Sequence, residues 1–355
     1  MNYGTDPAEL YRQPPRRRLL QLALYAIHLG TGSTLLCRTI KSNTIKKYVN
    51  TAASFHALFG QNPRDFRNDN VTDTKVSPEL SKVYTEQKRW EDVPNRRERY
   101  TLEMLDALSS EFATSGQGSN TLEAALVDWF TCGLFAGLRL GEWAQDYRSD
   151  PASYKLSIRN ETQALCIGDV RFESADRRQY SAVEAGAAIT IPMTKCWIKF
   201  RTQKNGQNGE EKLFTRNAQG KCFPSAMLRI IRRFIHLQGA NDTQTPLAIY
   251  QSGSPNKPTK LITAPDIEAA MRRIAARVYQ LDPVKDKQTL QKWSAHSLRV
   301  GACVILHSLG MSIAQIKFLL RWRSDAFMVY LRNTAILSNS QNALFNEADA
   351  MPHFL

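Results

Sequence analysis

His296-Ser297-Leu298-Arg299-Val300-Gly301-Ala302, followed by Arg321-Trp322-Arg323-Ser324-Asp325-Ala326-Phe327-Met328-Val329-Tyr330-Leu331-Arg332-Asn333, decides how this chain is read. The two strings bring an imidazole, a guanidinium, an indole and a phenol into one stretch of about 35 residues. Arginine and histidine hold and protonate phosphate oxygens, and a tyrosine hydroxyl is a nucleophile able to form a phosphotyrosine ester. On a helix, residues i and i+3 share a face. His296 and Arg299 can therefore converge on one phosphate, the imidazole for proton transfer and the guanidinium for two oxygens. Gly301 and Ala302 leave room for close packing behind them. A bare His-x-x-Arg is common, and the seven-residue string is the specific part. Tyr330 read alone is a half-buried helix tyrosine, the ordinary fate of that residue.

The composition around this stretch fits a partner made of phosphates. The chain has 355 residues, 43% of them hydrophobic and 23% charged, enough for two domains and a sizeable core. Its 47 basic residues outnumber 33 acidic ones, for a net charge of +14. Such an excess suits a polyanion, most simply a nucleic-acid backbone. It is spread along the chain: residues 1–92 hold 14 basic and 9 acidic groups, leaving 33 and 24 for the remainder. No apolar run is long enough to span a bilayer, and Arg16-Arg17-Arg18 is not followed by a leader with a cleavage site. No membrane partner is expected. The expected location is intracellular, the nucleus in a eukaryote and the cytoplasm or nucleoid in a bacterium. Cys37, Cys132, Cys166, Cys196, Cys222 and Cys303 lack paired spacing and give neither a disulfide framework nor a zinc site.

Periodicity divides the chain into a small helical domain, 1–92, and a larger domain, 93–355. Helices are expected over 16–28, 44–58 and 78–90, with Ser42, Asn43 or Thr44 capping the second and Gly60 ending it. The charged, proline-containing segment 91–99 is the expected linker. Beyond it helices are predicted over 101–112 and 121–135, the latter capped by Asn120 with Glu123. Period 2 then predicts strands at 165–172, 188–193, 197–201 and 212–215, with turn chemistry in Lys204-Asn205-Gly206-Gln207-Asn208-Gly209. Helices follow over 224–237, 263–279, 292–309, 312–322 and 324–336. The fold class expected is mainly α (α+β), a mostly helical large domain around one small antiparallel sheet.

Two more boxes lie upstream of these strings. Gly137-Leu138-Arg139-Leu140-Gly141-Glu142 ends the helix at 121–135, and its simplest reading is an arginine paired with Glu142 across one turn. Lys204 lies at the expected hairpin tip, where Lys199 and Lys212 compete with it for any role. Trp322 and Arg321 stand eight and nine residues before Tyr330.

In this order, Arg139, Lys204, His296-x-x-Arg299, Trp322 and Tyr330 resemble the motif boxes of the tyrosine recombinases, the phage-integrase and Cre-type enzymes. The resemblance covers about 93–340; residues 1–92 match a core-binding domain only in size, helicity and charge. The Arg-Trp-x-Ser-Asp-Ala-Phe string is most similar to recombinases of eukaryotic Crypton-type mobile elements. The resemblance implies a site-specific recombinase that cuts and rejoins DNA through a 3′-phosphotyrosine on Tyr330, without metal, nucleotide or other cofactor. Arg139 and Arg299 would offset charge on phosphorus, Lys204 would protonate the leaving 5′ oxygen and His296 would act as acid or base. Glu142 and Arg321 would support them. The family places its ring N–H donor nine residues before the tyrosine. Here Arg321 holds that position and Trp322 lies one residue nearer, so either could fill it. The implied partners are double-stranded DNA and further copies of the chain in a synaptic dimer or tetramer. Phosphate contacts are expected from Arg16, Arg17, Arg18, Lys41, Lys46 and Lys47 on the small domain and from Arg201, Arg229, Arg232 and Arg233 on the large one. Two rivals remain at this point: a type IB topoisomerase-like relaxing enzyme, and a recombinase-derived DNA-binding protein that no longer cuts.

Overall fold

The computed structural model describes residues 15–31, 40–57, 76–91, 96–116, 118–144, 162–201, 208–217, 222–253 and 258–331, without the side chains of 15, 18 and 52–57. The chain divides into two compact units, Met1–Asn95 and Arg96–Leu355. The division falls inside the charged segment 91–99, three residues beyond the expected boundary.

The first unit contains α1 (Pro15–Gly30), α2 (Ser42–Ala57) and α3 (Pro78–Arg89). Leu19, Leu22, Ala23, Ala26 and Leu29 recur at helical spacing on α1 and bury against Ile45 and Val49 of α2 and Leu80 and Tyr84 of α3. Pro78 needs no amide partner at the first helical position, and the Ser77 hydroxyl accepts from the Leu80 amide at 3.3 Å. Gln87 Nε2 donates to the Ala26 carbonyl at 2.6 Å, tying α3 to α1. Gly60, expected to end the second helix, lies outside the described residues.

The second unit is a helical body around a small sheet. Its elements in chain order are α4 (Leu102–Thr114), α5 (Leu122–Ala136), α6 (Leu140–Trp143), β1 (Val170–Ser174), β2 (Gln179–Ser181), α7 (Ala182–Ala187), β3 (Met193–Phe200) and β4 (Glu210–Thr215). There follow α8 (Phe223–Gln238), β5 (Ile249–Gln251), β6 (Thr259–Leu261), α9 (Ala264–Val278), α10 (Lys287–Leu290), α11 (Ser297–Ser308), α12 (Ile313–Leu319) and α13 (Met328–Leu331). The sheet is antiparallel with strand order β2-β1-β3-β4, and β5 and β6 form a separate antiparallel pair. This is the mainly α architecture with a small antiparallel sheet that the periodicity predicts.

Helix α5 is the spine of this unit. It packs on α8 along one side and on α11 along another. Trp129 stacks on Trp143 at 4.9 Å, and Phe130 meets Tyr100 edge-on at 5.0 Å. Complete burial of a side chain such as Phe130 contributes roughly 1.5–3 kcal/mol. The pair Asp128 and Arg233 sits buried between α5 and α8 at 2.6 Å. Helix α11 approaches the backbone at 100 so closely that a Cβ at Gly301 would collide with the Tyr100 carbonyl oxygen.

Several local expectations are corrected. The α5 cap is Thr121, whose hydroxyl accepts from the Ala124 amide at 3.4 Å, not Asn120. The apolar run at 165–172 is broken by a 3₁₀ turn, Ile167–Asp169, because the Asp169 carboxylate accepts from the Cys166 amide at 2.8 Å. β1 therefore starts at Val170. Segment 188–192 is not a strand: Ser181 and Glu184 form a capping box that opens α7, and Pro192 precedes β3. β3 runs continuously from Met193 to Phe200, where two separate strands were expected. The helix expected over 292–309 starts late: 292–296 form a turn, and α11 begins only at Ser297. Cys132, Cys166, Cys196, Cys222 and Cys303 are buried free thiols. Among the described residues no helix is long and apolar enough to cross a membrane, and no group of acidic, His and Cys side chains could hold a metal ion.

Candidate active site

The end of α5, the start of α11, the end of α12 and the short helix α13 converge. Gly137 closes α5 with a left-handed backbone (φ +56), which lets the chain reverse where a Cβ would meet Leu320. The reversal delivers Arg139 to the start of α6. There its backbone amide donates to Glu142 Oε2 at 2.9 Å and its Nη1 to Glu142 Oε1 at 2.8 Å. The turn-spanning pair that sequence suggests is thus present, but with the carboxylate buried at 4% exposure and Arg139 still 24% exposed.

His296 is the N-cap of α11 with a helical backbone, and the Arg299 amide donates to its carbonyl at 3.1 Å. Its imidazole Nε2 lies 2.9 Å from the Tyr330 hydroxyl. Arg299 is 1% exposed, and its two terminal nitrogens donate to the Gly137 and Leu320 carbonyls. Its Nε has no protein partner. Burial, together with the Arg139 charge, disfavours its cationic form; the Glu142 carboxylate acts the other way. The Trp322 ring covers the guanidinium at 4.4 Å and lies 6.1 Å from the Tyr330 ring. The buried indole N–H of Trp322 is also without a partner.

Burial raises the Tyr330 pKa above its ordinary value of 10.0, partly opposed by the Arg299 charge and aided by Cys303. At neutral pH the hydroxyl therefore keeps its proton and needs a base to act as a nucleophile. His296 is the group within reach.

Arg321 occupies the residue after the α12 cap, with a left-handed φ of +57. The Trp322 amide donates back to the Lys317 carbonyl at 2.9 Å, the six-to-one bond of a Schellman ending, in which glycine is the usual occupant of the Arg321 position. A non-glycine residue there costs about 1–2 kcal/mol. The Arg321 side chain is fully buried: Nη2 donates to Glu142 Oε2 at 2.8 Å, Nη1 to the Ala136 carbonyl at 3.2 Å, and the guanidinium lies 3.7 Å from the Phe200 ring centre. Of the two residues before the tyrosine, Trp322 is therefore the one beside Tyr330, whereas Arg321 turns inward to Glu142.

The structure brings Arg139, Glu142, His296, Arg299, Arg321, Trp322 and Tyr330 together. Lys204 lies outside the described residues. Of its competitors, Lys199 is exposed on β3, and Lys212 is engaged by Glu210 at 2.8 Å and the Phe318 carbonyl at 3.3 Å. Arg16, Arg17, Lys41, Lys46 and Lys47 are exposed on the first unit, and the Arg18 side chain is outside the described residues. All four of the expected basic residues of the large unit have partners within the protein. Arg233 is 5% exposed and bound to Asp128 and the Ser119 carbonyl, a correction to its expected place on a phosphate-facing surface. Arg201 is tied to Asp169 at 2.6 Å. Arg232 donates to the Gly186 and Ala188 carbonyls, both at 3.3 Å, and Arg229, half exposed, pairs with Asp128 at 2.6 Å. What sequence reading missed are the acceptors, the carbonyls of Gly137, Leu320 and Arg321. Backbone oxygens leave no residue-type signal.

No family model and no curated protein matches the chain. Among solved structures it is similar to the integrase of the transposon Tn1549 in complex with circular intermediate DNA: 15% identity over 88% of this chain and 80% of that one, TM-score 0.40. It is also similar to the XerH site-specific recombinase bound to its difH substrate in a pre-cleavage complex: 11% identity over 90% of this chain and 93% of that one, TM-score 0.37.

Proposed function

We propose that this chain is a DNA strand transferase of the tyrosine recombinase type with Tyr330 as its nucleophile. The observation that carries the reading is the 2.9 Å hydrogen bond between His296 Nε2 and the Tyr330 hydroxyl, beside two guanidinia that come from distant parts of the chain. In the proposed step the Tyr330 oxygen attacks a DNA phosphorus and its proton passes to neutral His296. The bond from phosphorus to the 5′ oxygen breaks, and that oxygen leaves as a hydroxyl with a proton from Lys204. Arg139, Arg299 and the Trp322 N–H offset the charge that develops on the phosphoryl oxygens. The product is a 3′-phosphotyrosine ester, and attack by a second 5′ hydroxyl reverses the chemistry onto a new strand. No metal or cofactor is needed for these steps. Lys41, Lys46, Lys47, Arg16 and Arg17, all exposed, are available to DNA phosphates, and strand exchange requires a synaptic dimer or tetramer of such chains.

The test uses a pool of nicked duplexes with a randomised core, so that no target need be known beforehand. Wild-type protein is expected to yield an SDS-resistant protein–DNA adduct whose peptide map ends on the fragment containing Val329-Tyr330-Leu331. Absence of any adduct across the pool, with duplex binding intact, would favour a DNA-binding protein that does not cut. Relaxation of supercoiled plasmid without exchanged products would favour the topoisomerase-like reading.

A further inference from the structure

We infer that Arg321 is a positioning residue that sets both phosphate-facing arginines, and that its left-handed backbone is kept for this purpose; the inference rests on the reading of the site given above. Three independent contacts meet at this residue. Its own carbonyl accepts from Arg139 Nη2 at 3.1 Å. The preceding carbonyl, Leu320, accepts from Arg299 Nη2. Its guanidinium holds Glu142, the carboxylate that also receives the Arg139 amide and Nη1. A left-handed turn is what points two successive carbonyls at two different guanidinia. An ordinary helix ending would ask for glycine here. Glycine would serve the carbonyls equally well, so the side chain is retained for Glu142. Arg321 itself, fully buried, touches no reacting atom.

The discriminating variant is Arg321→Gly, which keeps the left-handed turn and removes the whole side chain with its guanidinium. If the residue merely caps α12, glycine is neutral or better, and adduct formation on the randomised nicked pool proceeds at the wild-type rate. If it positions Glu142 and Arg139, adduct formation slows by about tenfold or more with duplex affinity changed less than about twofold. Arg321→Lys should recover part of the rate, since an ammonium reaches Glu142 but cannot also fork to the Ala136 carbonyl. Should Arg321→Gly fail to fold, Arg321→Lys decides: a wild-type rate in that variant overturns the inference. A second readout is independent of cleavage. The guanidinium NMR resonance of Arg139, assigned through Arg139→Lys, should shift or broaden in Arg321→Gly or Arg321→Lys, more than that of Arg299, which the Leu320 carbonyl still holds. An unmoved Arg139 resonance overturns the inference. Shifted resonances in a protein that forms no adduct uphold the positioning role and reject the strand-transfer reading instead.

Discussion

The Trp322 ring lies 4.4 Å from the Arg299 guanidinium while its own N–H is buried without a partner. The ring face stabilises the buried cation by about 2 kcal/mol in such a desolvated setting. The orphan N–H costs about 1–3 kcal/mol unless a ligand oxygen accepts from it. Trp322→Phe keeps a ring over Arg299 and deletes the N–H. It is expected to fold with stability unchanged or slightly raised, yet to form adduct about tenfold more slowly. Trp322→Ala should lose stability as well, by about 3–5 kcal/mol. Melting curves and single-turnover adduct kinetics measure both. A wild-type rate in Trp322→Phe would reduce the indole to packing.

Tyr330→Phe removes one oxygen from a half-buried ring, so the adduct should vanish while duplex affinity stays unchanged. The raised pKa of this hydroxyl adds a pH signature. A group whose folded pKa lies above its unfolded value stabilises the fold below the unfolded value, here 10.0, and that contribution fades as pH rises through the folded value. Wild-type stability should therefore fall more steeply above pH 10 than that of Tyr330→Phe. Phenolate absorbance should show one late-titrating tyrosine missing from the variant. Parallel stability curves for the two proteins in that range would contradict the buried environment assigned to Tyr330.

The helices were legible because each carries its own periodicity: Leu19 through Leu29 and Ile45 with Val49 announce buried faces that the structure uses. The sheet was less so. β2, β5 and β6 have three residues each, too few for alternation to register, and β3 mixes inward and outward positions. The residues that converge on the site were visible as types at spacings, His296 with Arg299 and Arg139 with Glu142. The inward turn of Arg321 was not, because a left-handed arginine breaks the rule that would have marked the turn. Arg233 looked like surface charge for a related reason: its partner Asp128 lies 105 residues away, and no local pattern links them.

Glu142 joins two cations, accepting from Arg139 and Arg321 at 2.8 Å each while only 4% exposed. Glu142→Gln keeps the shape and removes the charge, leaving buried Arg321 without a counter-ion. Breaking a buried pair in this way costs about 3 kcal/mol, which for a unit of this size lowers the melting temperature by roughly 5–10 °C. Adduct formation by the folded fraction should fall as well, since Arg139 loses its orienting partner. A melting temperature within a degree or so of wild type would mean that the pair contributes little.

Salt dependence probes the basic surface separately from the chemistry. If exposed Lys41, Lys46, Lys47, Arg16 and Arg17 meet phosphates, each neutralised phosphate releases counter-ions, and log Kd should climb linearly with log salt at about 0.9 per contact. Replacing Lys46 and Lys47 together by Ala should lower that slope by about two without altering the fraction of bound DNA that forms adduct. A slope that does not change on this replacement would remove α2 from the interface. Gel-shift titrations at several salt concentrations give the number directly.

Gly301 tests the packing that brings α11, and with it His296 and Arg299, against the rest of the unit. A Cβ there would run into the Tyr100 carbonyl oxygen and come within 3.0 Å of Leu134 Cδ2. Backbone cannot yield as a flexible side chain does. Gly301→Ala must push α11 away from the segment at 96–100, where the Tyr100 amide donates to the Ser297 carbonyl at 3.0 Å. Overpacking of this kind costs about 1–3 kcal/mol, and the cost should be accompanied by slower adduct formation because the displaced helix carries both His296 and Arg299. Gly141 is the control: a Cβ there meets nothing within 4 Å, and alanine in its short helix should be neutral or stabilising by up to about 1 kcal/mol. Equal melting temperatures for Gly301→Ala and Gly141→Ala would show that α11 does not depend on that close approach. The expected difference runs the other way, with Gly301→Ala several degrees below Gly141→Ala and slower in every preparation that folds.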